Sequence, residues 1–131
     1  MNSYEMTIAV TSHHIDENGH VNNIEYLKWM QEIAIAHSDA VGCSEAALQH
    51  EATWYAREHK IRYLRPAFEG DSIRVKTWVD SFQRVSSLRK YQFVHEEYGK
   101  ILAEASTMWV FVDCNSGRLL SIPDNIKNFF E

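Results

Sequence analysis

Cysteine is scarce in this 131-residue chain, and neither Cys43 nor Cys114 has a companion at metal-binding or redox spacing. That argues against a disulfide scaffold or a thiolate zinc site and fits a reducing, cytoplasmic setting. Proline is equally rare, with only Pro66 and Pro123, and no Gly/Pro-rich linker, repeat or low-complexity tract divides the sequence. Residues 1–131 therefore read as one domain, large enough for a real core. No apolar run approaches the roughly 18 residues that cross a membrane, so membrane insertion is not expected. Met1 to Val10 has neither the basic start nor the hydrophobic middle of a signal peptide. Positive charge is also in deficit: 13 basic against 18 acidic residues give −5, which argues against a nucleic-acid partner.

What is present is concentrated between His13 and Gly42. A polar segment, HHIDENGHVNN, runs directly into the longest helical pattern of the chain. Asn22 or Asn23 suits the helix cap, and an Asn22 cap puts Glu25 at the third helical position, where its carboxylate can return a bond to the cap amide. Leu27, Met30, Ala34 and Val41 form one apolar stripe, and Trp29, Ile33, Ala36 and Ala40 form a second. Two stripes leave a narrow polar edge, which predicts a helix covered on most sides. Its start offers unpaired N–H groups and a positive dipole end to developing negative charge.

The remaining pattern is mostly of period two. Tyr4 to Thr11 predicts a first strand, and Ser44 to Gln49 a short helical turn. Strands follow over Trp54 to Leu64, around Ile73 to Val79, over Ser86 to His95, and over Ile101 to Asp113, with turns at Gly70-Asp71 and Asn115-Ser116-Gly117. Pro123 opens a short terminal helix carrying Ile126, Phe129 and Phe130. Strand, long helix and four strands predict an α+β architecture in which a curved antiparallel sheet wraps around one long central helix. Exposed strand edges, together with Trp54 and Trp78 on an outer face, predict that a second copy covers them, giving a homodimer or homotetramer.

With those elements assigned, DENGHVNNIEYLKWMQE resembles the first signature of the hotdog-fold acyl thioesterases, the group around 4-hydroxybenzoyl-CoA thioesterase and related acyl-CoA and acyl-ACP hydrolases. Asp16, Gly19, Asn23, Tyr26, Leu27, Trp29 and Glu32 are the matching positions. IRYLRPAFEGDSIRV and FQRVSSLRKYQF resemble the second and third signatures. The resemblance implies a hotdog fold and hydrolysis of an acyl-CoA thioester to a carboxylic acid and free CoA, with no cofactor and no metal. Acyl carrier protein is the alternative carrier, and a non-catalytic acyl-CoA-binding module is the other reading.

The same resemblance implies that Asp16 is the catalytic carboxylate, as nucleophile or as general base, with His20 and Asn18 beside it. An Asp in a D-x-x-G loop also closes its own turn by accepting a backbone N–H. Gly19 and the amides of Val21, Asn22 and Asn23 are candidates to bind the thioester oxygen, and Tyr26 to line the acyl slot. Arg84, Ser86, Ser87 and Arg89 fall where relatives contact the nucleotide or pantetheine end of CoA. The Glu-Cys pair of the plant acyl-ACP enzymes corresponds here to Ala67 and Phe68, so a cysteine mechanism is not supported. His13, His14, Asp16 and His20 lack a recognised zinc spacing.

Overall fold

The computed structural model describes residues 2–131. Strands β1 (Ser3–Ala9), β2 (Ala52–Tyr63), β3 (Ser72–Phe82), β4 (Ser86–His95) and β5 (Ile101–Asp113) form one antiparallel sheet in the order β1-β3-β4-β5-β2. Helices α1 (Asn23–Val41), α2 (Cys43–Gln49) and α3 (Asp124–Asn128) accompany it, and a single 3-10 turn (Ser12–His14) follows β1. The alternation along β3 places Ile73, Val75, Thr77 and Val79 in the interior, as period-two patterning requires. Register then sets Val79, Arg89, Thr107 and His59 side by side across four strands.

Helix α1 starts where a capping residue permits it. Asn22 is extended, and its Oδ1 accepts the Ile24 N–H at 3.0 Å. The expected return bond from Glu25 is not made: the Asn22 amide donates to the His14 carbonyl at 2.8 Å, and the Glu25 carboxylate pairs instead with Lys28 at 3.4 Å. The helix ends at Gly42, whose φ of 90° a residue with a side chain would adopt only under strain.

The expectation of a curved sheet wrapped around one long central helix is not met. The interior residues of α1 are Tyr26, Trp29, Met30, Ile33, Ala34 and His37, one stripe at i, i+3, i+4 spacing. Ile24 and Ile35 on its other side are 60% and 59% exposed. The second stripe holds at Trp29 and Ile33 but not beyond, because Ala36 and Ala40 are too small to demand cover, and Ala40 is exposed. The sheet stays open, with β1 and β2 as separate edges, and the helical layer is shared among α1, α2 and α3. One core cluster lies under the first part of α1 (Tyr26, Trp29, Met30, Phe93), and a second joins α2, α3 and β5 (Cys43, Ala46, Ile126, Phe111). Trp54 belongs to the second, its ring 4.9 Å from that of Phe111, so it does not mark an outer face as expected.

Candidate functional site

The loop before α1 is a small hairpin built by its own sequence. Ile15 and Val21 form an isolated antiparallel bridge, and the Asp16 amide donates to the His20 carbonyl at 3.1 Å. Inside it, the Gly19 amide donates to the Asp16 carbonyl at 3.0 Å, and Gly19 takes a φ of 82°. Asp at the first turn position and Gly at the left-handed position are what a three-residue hairpin loop requires. The Asn18 amide donates to Asp16 Oδ1 at 2.9 Å, which holds the half-buried carboxylate by one oxygen. Among the described residues, Oδ2 accepts no bond from the protein.

Three contacts fix this hairpin to the rest of the fold. The Val21 amide donates to the Ala67 carbonyl at 2.8 Å, the Asn22 amide donates to His14, and the Tyr63 hydroxyl donates to the Asn23 carbonyl at 3.0 Å. Two of the three expected oxyanion amides, those of Val21 and Asn22, are thus already occupied by protein carbonyls. The Asn23 amide, at the first helical position, has no protein acceptor among the described residues and keeps the dipole end of α1 behind it. His20 stands across the hairpin from Asp16, half-buried, its Nδ1 3.4 Å from the Val21 carbonyl and its ring edge-on to Phe68. Asp16, Asn18, Gly19, His20 and Asn23 therefore gather at one end of α1.

Tyr26 lies deeper. It is 2% exposed and packs edge-on against Trp29, Tyr63 and Phe93. Burial, with Tyr63 and then Asp71 adding to it, pushes its hydroxyl up to about 12, so it stays protonated at neutral pH. Met108 alternates away from Thr107 and so faces the side of the sheet opposite Arg89, Tyr91 and His59.

The four expected CoA contacts divide. Arg84 is exposed and donates to Ser121 Oγ at 3.0 Å. Ser86, Ser87 and Arg89 are buried, at 5%, 5% and 3% exposure. Arg89 Nη1 donates to His37 Nδ1 at 2.8 Å and to Thr77 Oγ1 at 3.1 Å, and Thr77 passes its own hydroxyl proton to the Lys90 carbonyl at 2.8 Å. Because an arginine only donates, His37 Nδ1 must be the acceptor, so its proton sits on Nε2 and points to Asn2 Oδ1 at 2.7 Å. Burial first, and then the neighbouring Arg89 charge, lower the His37 pKa to about 4. Beside this group the Tyr91 hydroxyl donates to Thr107 Oγ1 at 3.0 Å, which lies 2.8 Å from His59 Nδ1, and burial lowers the His59 pKa as well.

This interior polar row was not read from the sequence. Its signal was the alternation that puts Arg89 on the same side of β4 as Tyr91 and Phe93. His37 and Thr77 carry no motif at all. Among the described residues, no group of three or more His, Cys, Asp or Glu side chains converges as a metal site would require. No helix among the described residues is long and apolar enough to cross a membrane.

Comparison with known proteins agrees with this loop-and-sheet arrangement. The palmitoyl-acyl carrier protein thioesterase of Cuphea hookeriana is 23% identical over 135 residues, which cover 98% of this chain and 32% of that protein. The chain thus spans about a third of the length of the plant thioesterases it matches. The long-chain acyl-CoA thioesterase FadM of Escherichia coli is 24% identical over 127 residues, covering 95% of this chain and 94% of FadM. The crystal structure of a 1,4-dihydroxy-2-naphthoyl-CoA thioesterase from Synechocystis superposes with a TM-score of 0.86 at 15% identity, over 98% of this chain and 96% of that one, a likeness of fold. A family model described as the thioesterase-like superfamily matches residues 10–130, and the chain belongs to that superfamily of hotdog-fold proteins.

Proposed function

We propose that the protein is an acyl-CoA thioesterase and that the hairpin before α1 carries its chemistry. The observation behind this reading is the divided carboxylate of Asp16: Oδ1 is tied to the Asn18 amide, while Oδ2 has no protein partner. A carboxylate held by one oxygen is oriented, and its other oxygen can receive a proton or attack carbon. The thioester oxygen would lie toward the Asn23 N–H, where negative charge developing on it meets the positive end of α1. Gly19, lacking a side chain and with open space around its Cβ position, lets the substrate approach the loop.

In the general-base form, water adds to the carbonyl carbon as Asp16 takes its proton. The tetrahedral intermediate then collapses, the C–S bond breaks, and the proton passes to the departing thiolate. In the nucleophilic form, Oδ2 bonds to the carbonyl carbon, the thiolate leaves, and water hydrolyses the mixed anhydride. Asn18 and His20 position the water or the carbonyl in either form. Label found in Asp16 after single-turnover hydrolysis in ¹⁸O water identifies the anhydride route with water attacking the Asp16 carbonyl carbon, since the general-base route leaves no label there. CoA is favoured over an acyl carrier protein by the coverage of FadM, which the chain matches nearly end to end. Arg84, exposed in the turn between β3 and β4, is the candidate for the CoA phosphates.

Release of thiol from short, long and aromatic acyl-CoAs tests the reading. Turnover of at least one class is expected, and no turnover on any thioester would favour a binding module. We also propose a homodimer paired along β2. That strand has a hydrogen-bonded neighbour on one side only, and Tyr55 on it is 50% exposed. Sedimentation equilibrium should give twice the chain mass, and a monomer at micromolar concentration would remove the pairing.

A further inference from the structure

Beside the C-terminal half of α1 lies a cavity of about 370 Å³, at the small end of the range for organic ligands. Most of its wall is apolar, formed by residues such as Ala34, Trp54, Val79 and Phe82. Two groups in that wall are out of keeping with it. Arg89 is 3% exposed, and no described carboxylate pairs with it. Both of its protein hydrogen bonds leave from Nη1, so Nε and Nη2 have no acceptor among the described residues. The other is Trp109, whose buried indole N–H has no hydrogen-bond partner.

An arginine cannot shed its proton to escape burial, and a buried cation is ordinarily paired. Here the flanking groups are a histidine nitrogen, a hydroxyl, the face of Phe130, 5.5 Å from the guanidinium, and the Cys43 thiol and Tyr91 hydroxyl, both kept protonated by burial, and none of these is an anion. The neighbouring His37 adds no negative charge, and Tyr4 and Phe130, which pack on its ring, add none either. The fold thus holds a positive charge at the wall of an apolar cavity and leaves two of its donor positions unused.

We propose that this cavity is a receptor for a carboxylate carried on an apolar chain, the anion bonding to Nε and Nη2 of Arg89 while the chain lies against Trp54, Val79 and Phe82. Such a ligand has two sources that rest on the thioesterase reading: the distal carboxylate of an ω-carboxyacyl thioester, or the free carboxylic acid that hydrolysis releases. Fourteen residues of α1, about 21 Å of helix, separate Asn23 from His37. The cavity is therefore a site apart from the hairpin and not the place where a new carboxylate forms in the same subunit.

Trp54 and Trp109 both line the cavity, so their fluorescence reports its occupation without any turnover. The protein is titrated with decanoate, decan-1-ol and decyltrimethylammonium. Decanoate is expected to bind about 10- to 100-fold more tightly than the alcohol, the worth of charge-assisted hydrogen bonds, and the cation not to bind. Arg89→Met should abolish that preference. If the variant fails to fold by circular dichroism, Arg89→Lys, a point charge without the planar fork, should reduce it. Equal binding of acid and alcohol to the wild-type protein overturns the proposal, as does a preference unchanged in a folded Arg89 variant.

Turnover then distinguishes the sources. A KM for ω-carboxyacyl-CoAs about 10-fold below that of acyl-CoAs of matched length, lost in the Arg89 variant, identifies the distal carboxylate. Inhibition by decanoate that depends on Arg89, with no such KM difference, identifies the product acid. Tight decanoate binding in a protein that hydrolyses no thioester would sustain the receptor and remove the thioesterase reading.

Discussion

Two polar regions at opposite ends of α1 are built in opposite ways. The hairpin at its start uses consecutive residues, Ile15 to Asn23, and satisfies most of its polar groups with its own backbone. The row around Arg89 near its end draws on β3, β4, β5, β2 and α1, and is tied together by side-chain bonds between elements far apart in sequence, with Arg89 Nε and Nη2 left over. The first is partly open to water, so water and a substrate can reach its carboxylate. The second is enclosed, so every missing bond or misplaced proton there costs stability. The difference separates a region suited to reacting from one suited to recognition.

The contrast can be broken at either end. Acid should strike the deep row first. The unfolded His37 imidazole takes a proton as pH falls through about 6.5, whereas the folded one resists protonation until about 4. In that window the unfolded chain binds more protons, so this contribution is complete above 6.5 and is lost as pH falls toward 4. Its full size is about 3 kcal/mol. Urea unfolding followed across this range should show the decline, and His37→Gln, which keeps an acceptor for Arg89 but does not titrate, should flatten it. An unchanged slope in that variant would mean that His37 is not the group responsible.

At the other end the hairpin should respond to backbone changes and not to burial. Gly19→Ala meets open space but must hold a left-handed φ of 82° and is expected to lower the unfolding free energy by about 1 to 2 kcal/mol. Denaturant midpoints measure it, and a neutral result would mean that the turn relaxes freely. The smallest effect is expected from Asn22→Ala, about 1 kcal/mol for a lost cap. Its hydrogen-exchange signature should be confined to the first turn of α1. Protection lost throughout the helix would show that the cap supports more than its own turn.

The same contrast explains what could be read from the chain alone. The Asn22 cap, the Gly42 stop and the period-two strands depend on neighbours a few residues away, and their elements appear close to where the pattern puts them. Enclosure of α1 could not be read, because Ala36 and Ala40 count as apolar in a stripe yet bury too little surface to require a partner. The return bond from Glu25 is pre-empted because the His14 carbonyl, brought in by the 3-10 turn, takes the Asn22 amide. The burial of Arg89 depends on which face of β4 meets the helices. Alternation shows that Arg89 and Tyr91 share a face but not that the face is the inner one. The exposed Arg84, only two residues from the buried Ser86, shows how abruptly that boundary falls.

Replacing Asp16 by Asn tests the proposed chemistry most directly. Asparagine keeps an oxygen for the Asn18 amide, so the hairpin and the urea midpoint should be preserved, but it can neither take the proton from water at neutral pH nor attack as a carboxylate. On the best acyl-CoA substrate, kcat/KM should fall about 10²- to 10⁴-fold with the fold intact. A folded Asp16→Asn protein that hydrolyses acyl-CoA at the wild-type rate would contradict the assignment and leave Asp16 as a turn residue alone.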